Sequence, residues 1–84
     1  MSWFVYILRC EHDKLYTGVT TDVKRRFSEH CQGKTGAKYT KANKPLEIAY
    51  TKKHKDRSSA QIDEARIKKL TKKEKEILIG NKRH

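Results

Sequence analysis

The sequence predicts a small α/β (α+β) domain in which a three-stranded antiparallel sheet is flanked by helices. Three observations lead there. Two short runs rich in apolar, aromatic and β-branched residues, 4–8 and 15–20, are separated by a polar turn. A third run, 46–50, alternates in the manner of a half-buried strand. Helix-capping residues followed by charged segments with spaced apolar positions come after the second and third runs. With 84 residues, the chain is expected to form a single domain, 1–84, with one modest core.

Taken in order, Phe4, Val5, Tyr6, Ile7 and Leu8 suit a pleated sheet, and the polar residues 10–14 make the turn. Side chains alternate across a strand, so Tyr6 shares a face with Phe4 and Leu8, and Tyr16 shares one with Gly18. In a hairpin the two tyrosines can then lie on neighbouring strands with their hydroxyls on one side. Gly18 leaves a gap beside Tyr16 through which something can approach the backbone. Thr21 and Asp22 are helix N-caps, and a helix runs from Val23 toward Gln32. With Val23 as origin and about 100° per residue, Phe27 lies at about 40°, His30 at about 340° and Arg26 at about 300°. Arg25, at about 200°, and Lys24, at about 100°, point elsewhere. Val23 and Phe27 are the expected core anchors, with Arg26 and His30 beside them, so Arg26 rather than Arg25 looks inward.

From Gly33 to Lys41 two glycines punctuate a run of lysines, threonines and one tyrosine. Its functional reading is a phosphate-contacting loop or short helix, with Lys34, Lys38 and Lys41 reaching backbone oxygens and Tyr39 available for stacking. The plain alternative is a solvated linker. The run lacks the spacing of a P-loop. Pro45 closes it, and Leu46, Ile48 and Tyr50 should face one side of a third strand. Residues 52–55 read as a basic connector. Ser58 with Gln61 resembles a capping box that opens a helix to about Leu70, and Thr71 with Glu74 resembles a second, placing a break between two helices. The last helix, 72–79, is expected to stop at Gly80 and Asn81. Ala60, Ile67 and Leu70 share the face that covers the sheet, with Asp63 and Glu64 on its two flanks. Amphipathic geometry does not choose between those carboxylates, and Glu64 has a simple alternative role as an i,i+4 partner of Lys68.

Charged residues make up 37% of the chain and the formal net charge is +11. The matching partner is a polyanion, nucleic acid before an acidic membrane surface. No apolar run is long enough to span a bilayer and no signal-peptide core precedes the first strand, so the cytoplasm is the expected compartment and no membrane role is expected. Cys10 and Cys31 are read as ordinary reduced cysteines. A zinc set of Cys10, Cys31, His12 and His30 has the wrong spacing for a finger.

Phe4-Val5-Tyr6, Tyr16-Thr17-Gly18 and an inward Arg26 followed by His30 together resemble the GIY-YIG nuclease domain. That superfamily includes the N-terminal domain of a bacterial excision nuclease, structure-specific endonucleases and some homing endonucleases. The first signature is degenerate, with Phe4 where the family name has glycine, while Tyr6, Tyr16 and Gly18 are kept. The spacing from Tyr6 to Tyr16 and on to Arg26 is similar to the family's. The resemblance covers nearly the whole chain and is greatest to the small stand-alone bacterial members, which carry a similar glycine-lysine segment.

The resemblance implies metal-dependent hydrolysis of DNA phosphodiester bonds. It selects Glu64, in Asp63-Glu64-Ala65-Arg66-Ile67-Lys68, as ligand of one Mg²⁺ or Mn²⁺, hard ions that suit a carboxylate oxygen. Arg26 would face the phosphoryl oxygens, and Tyr6 or Tyr16 would assist the attacking water. A tyrosine with a reference pKa near 10 needs nearby cations for that role. His30 would hydrogen-bond the phosphate or pass a proton. Two departures stand out. Val19 occupies the position where excision-nuclease domains carry lysine, and the late asparagine has only Asn81 as a counterpart. Activity that is weak, or that depends on a protein partner supplying specificity, fits those departures. The alternatives are a non-catalytic basic nucleic-acid-binding module on the same scaffold and a small basic protein bound to ribosome or RNA. DNA is expected before RNA.

Overall fold

The computed structural model describes residues 2–34 and 38–82, the side chains of 81 and 82 excepted. It is an α+β fold with three antiparallel strands in the order β2-β1-β3 and four helices. Central strand β1 (Trp3–Cys10) pairs on one side with β2 (Lys14–Thr20) and on the other with β3 (Pro45–His54). Helix α1 (Val23–Cys31) follows β2, and the short α2 (Lys38–Ala42) precedes β3. Helices α3 (Arg57–Lys68) and α4 (Lys72–Lys82) complete the chain. Residues 35–37 of the expected glycine-lysine loop lie outside the described residues, as does the Asn81 side chain.

The reversal between β1 and β2 is tight. His12 and Asp13 both take positive φ, 63° and 58°, and the Lys14 N–H donates to the Glu11 carbonyl. Consecutive left-handed residues are what a primed turn asks for, and Asp and His tolerate them better than bulkier types. The turn is fastened to the α2–β3 connection. Glu11 N–H donates to the Lys44 carbonyl at 2.9 Å, and Lys44 N–H returns to Glu11 Oε1 at 3.0 Å.

The sheet is covered on both faces. Val5, Ile7, Leu15 and Tyr50 pack with Ala60 and Ile67 of α3 and Ile79 of α4. Tyr6, Leu8 and Cys10 pack with Tyr16, Ile48 and the Val23 and Phe27 anchors of α1. Alternation along β1 therefore divides it between the two faces. Each fully buried aliphatic side chain stabilises the fold by about 1.5–3 kcal/mol relative to exposure.

Helix termini follow local chemistry. The Asp22 side chain caps α1 by accepting from Arg25 N–H at 3.1 Å. At the other end Gly33, with φ +70°, follows a Schellman pattern. Its N–H donates to His30 O and that of Lys34 to Glu29 O. The Thr71–Glu74 capping box forms in full, with reciprocal bonds of 2.8 and 3.1 Å. A bidentate ion pair holds α4 against the sheet, in which Arg9 Nη1 and Nη2 donate to Glu76 at 2.9 and 2.8 Å. Glu47 of β3 lies 3.3 Å from Arg9 Nε.

Four expectations are corrected. The residues 52–54, read as connector, belong to β3, where exposed lysines give no apolar signal. Leu46, Ile48 and Tyr50 do not share a face: Leu8 pairs with Ile48 but Ile7 with Tyr50, leaving Ala49 as an extra residue. That bulge sends Ile48 and Tyr50 to opposite sides of the sheet. A second irregularity at Leu46 leaves it 60% exposed. Asp56, not Ser58, caps α3, accepting from Ser59 N–H at 2.8 Å. Finally, α4 continues through Gly80 and Asn81 instead of stopping there, and Gly80 does not take positive φ.

Candidate active site

The α1-facing side of the sheet carries a polar cluster within an otherwise apolar layer. Leu8 pairs with Tyr16 and Tyr6 with Gly18 in the β1–β2 register, so both tyrosines lie on this side. Gly18 is required by the close approach of Tyr6: a Cβ there would lie 2.5 Å from the Tyr6 hydroxyl oxygen and 2.7 Å from Cζ. The gap expected beside the glycine is thus filled by Tyr6 itself.

Tyr6 is buried, and its hydroxyl lies 3.0 Å from His30 Nε2. His30 is also buried, and its Nδ1 lies 3.0 Å from Thr40 Oγ1. The last turn of α1 therefore links β1 to α2, whose buried position is Thr40. Burial pushes the His30 imidazole below its ordinary value, assisted by the Arg26 charge and opposed by Glu29. It is consequently neutral at pH 7, able to donate through one ring nitrogen and accept through the other. Burial likewise pushes the Tyr6 phenol up to about 12, with Tyr16 and Glu64 acting in the same direction and the Arg26 guanidinium opposing them.

Tyr16 is only half-buried. Its ring meets His30 edge-on at 4.8 Å between centroids and lies 6.2 Å from Tyr6 and 6.0 Å from Tyr39. Arg26 is half-buried on the side of α1 nearest this cluster, as the helical projection requires, and its charge acts on the Tyr6 hydroxyl, while Arg25 is exposed. Glu29 holds the outer side of the Arg26 guanidinium at 3.4 Å.

The matching family model is described as the GIY-YIG catalytic domain and covers residues 2–77. The chain belongs to the GIY-YIG catalytic-domain family. It is 46% identical over 79 residues to a UPF0213 protein of Cronobacter sakazakii, covering 94% of this chain and 82% of that one. It is 47% identical over 78 residues to the UPF0213 protein YhbQ of Escherichia coli O139:H28, covering 93% and 77%. A solution NMR structure of a UPF0213 protein from Bacillus halodurans superimposes with a TM-score of 0.62 at 40% identity, covering 98% of this chain and 86% of that one.

The other residues expected from the GIY-YIG resemblance lie on other elements. Glu64, on α3, is half-buried, and Lys68 Nζ lies 3.2 Å from its Oε2, the i,i+4 pair expected as its alternative role. Its charge also acts on Tyr6. Its neighbour Asp63 is engaged elsewhere, 3.0 Å from His54 Nε2 and accepting two bonds from Arg66. Val19 packs against the α3-side core. Lys34, Lys38 and Lys41 are exposed, and Tyr39, 39% exposed, joins the cluster through Tyr16. Cys10 is buried, Cys31 exposed, and both are free thiols. Among the described residues no three His, Cys, Asp or Glu side chains gather as a metal-ligand set, and no helix is long and apolar enough to cross a membrane.

Thr40 is a site residue that the sequence does not mark. A threonine inside a lysine-rich run has no periodicity to identify it as buried, and its significance comes from a contact ten residues away.

Proposed function

We propose that this protein is a metal-dependent endonuclease that hydrolyses phosphodiester bonds in DNA, branched or damaged DNA among its substrates. The observation that carries this reading is the convergence of Tyr6, Tyr16, His30 and Arg26 in one partly open cluster. Arg26 supplies a permanent positive charge for the phosphoryl oxygens as negative charge builds on them. Tyr16, half-buried where Tyr6 is fully enclosed, is the tyrosine open to the attacking water, and in its phenolate form takes that water's proton to become the neutral phenol. Tyr6, with its phenol pushed up to about 12, stays protonated and orients His30. His30, buried with Nε2 toward Tyr6 and Nδ1 toward Thr40, acts on the phosphate through the Tyr6 hydroxyl that it positions and not by direct contact.

Glu64 is the residue that would hold the ion. A single, partly exposed carboxylate fits Mg²⁺ or Mn²⁺, which takes its remaining ligands from water and substrate phosphate, and does not fit an all-protein cage. Bound there, one such cation would offset charge on the phosphate and acidify a coordinated water. Lys34, Lys38, Lys41 and Tyr39 form the adjoining nucleic-acid contact. We assign the protein to the cytoplasm, acting as one domain, with a protein partner supplying substrate choice.

A labelled panel of linear, nicked, flapped and branched DNAs with Mg²⁺ or Mn²⁺ tests the reading. Cleavage is expected with wild type and lost with Glu64→Ala and Arg26→Ala, binding being largely kept. The apolar Val19 favours a second reading, a binding module without turnover. Salt-sensitive binding without cleavage of any substrate would establish that alternative.

A further inference from the structure

A groove runs between the β1–β2 turn and α4, on the far side of Tyr39 from the candidate active site. His12, Lys14 and Leu15 form one wall, Lys72 and Lys75 the other, and Tyr39 stands at the end nearest Tyr16. Asp13 also lines it, but its carboxylate receives a 2.9 Å hydrogen bond from Lys72 Nζ. Lys72 additionally lies 3.4 Å from Glu76. His12 is occupied as well, its Nδ1 being 3.1 Å from Asn43 Oδ1.

Two cations remain. Lys14 is exposed and Lys75 half-buried, and neither joins an ion pair among the described residues. Positive charge without a counter-charge in the protein attracts an anionic ligand. Because Lys14 is on β2 and Lys75 on α4, the groove presents positive charge from both walls.

We propose that this groove binds the phosphodiester backbone of nucleic acid, with Lys14 and Lys75 as its phosphate contacts, extending the binding surface past Tyr39. The inference rests on the nucleic-acid reading above. A phosphate track of this kind fixes the register of the bound strand without reading its bases.

Binding of a fluorescein-labelled duplex DNA, measured by anisotropy between about 50 and 200 mM NaCl, tests it through the salt slope. Each phosphate contact contributes about 0.9 to the slope of log K against log salt, so Lys14→Gln with Lys75→Gln should reduce its magnitude by about 2. Lys14→Gln alone, on the surface, should remove about 1 and guards against misfolding at the half-buried position. The control pair Lys52→Gln with Lys53→Gln, on the opposite edge strand, should change it by less than one contact. Salt-dependent wild-type binding with an unchanged slope in the double variant overturns the groove alone. Equal losses in the control pair also overturn it, since a diffuse field would then account for both. Wild type without salt-dependent binding overturns the groove and the proposed function together.

Discussion

Tyr6 and Gly18 face each other across the β1–β2 ladder, and the space of one depends on the absence of a side chain in the other. Gly18→Ala would force the ring away from the backbone and from His30 Nε2. We expect a destabilisation of about 1–3 kcal/mol, as for other overpacked interiors, measured by urea denaturation. The His30 imidazole resonances should shift in the same variant. Tyr6→Phe separates the hydroxyl from the ring. Because the folded pKa is raised to about 12 from the ordinary 10, the associated stability is fully present below pH 10 and is lost as pH climbs from 10 toward 12. The loss is at most about 3 kcal/mol for a two-unit difference. Phe at position 6 should abolish that alkaline decline while leaving the ring packed, and an unchanged decline would place its origin elsewhere.

At the scale of elements, α4 is held by a cap at its start and by Arg9–Glu76 along its length. The Arg9 hydrogen bonds draw the Glu76 carboxyl down to about 2, burial opposing them and Lys72 assisting. A depressed carboxylate contributes stability above its unfolded value near 4.3 and loses it as pH falls toward 2. Glu76→Gln should therefore cost roughly 1–2 kcal/mol at pH 7, discounted for the partial exposure of the pair, and the cost should vanish in acid. Thermal melts at both pH values measure it. The cap was legible in the sequence because Thr71 and Glu74 are three residues apart and answer only to each other. The inward Arg26 and His30 were legible for a similar reason, since helical angle alone sorts them from Arg25. By contrast, Asp56 and Ser58 are both good caps two residues apart, and the backbone's path out of β3 decides between them. The Ala49 bulge was hidden too, because alternation within one strand carries no information about the register its partner imposes.

Across the whole molecule the net charge of +11 and the aromatic cluster are separate features that meet around α2. The charge was legible as composition. Its distribution was not, because ion pairing of Lys72 with Asp13 and Glu76 depends on tertiary contacts between the turn and α4. The central position of β1 has a kinetic consequence. Its amides are enclosed by a neighbouring strand on each side, whereas α2 is five residues long and buries Thr40 among them. In deuterated solvent the Tyr6 and Ile7 amides should exchange only through global opening, and those of α2 should exchange orders of magnitude faster through local opening. Equal protection in the two places would contradict this. The half of the cluster carried by β1 is then as durable as the fold, while the half that reaches toward a ligand can loosen and re-form many times within the lifetime of one folded molecule.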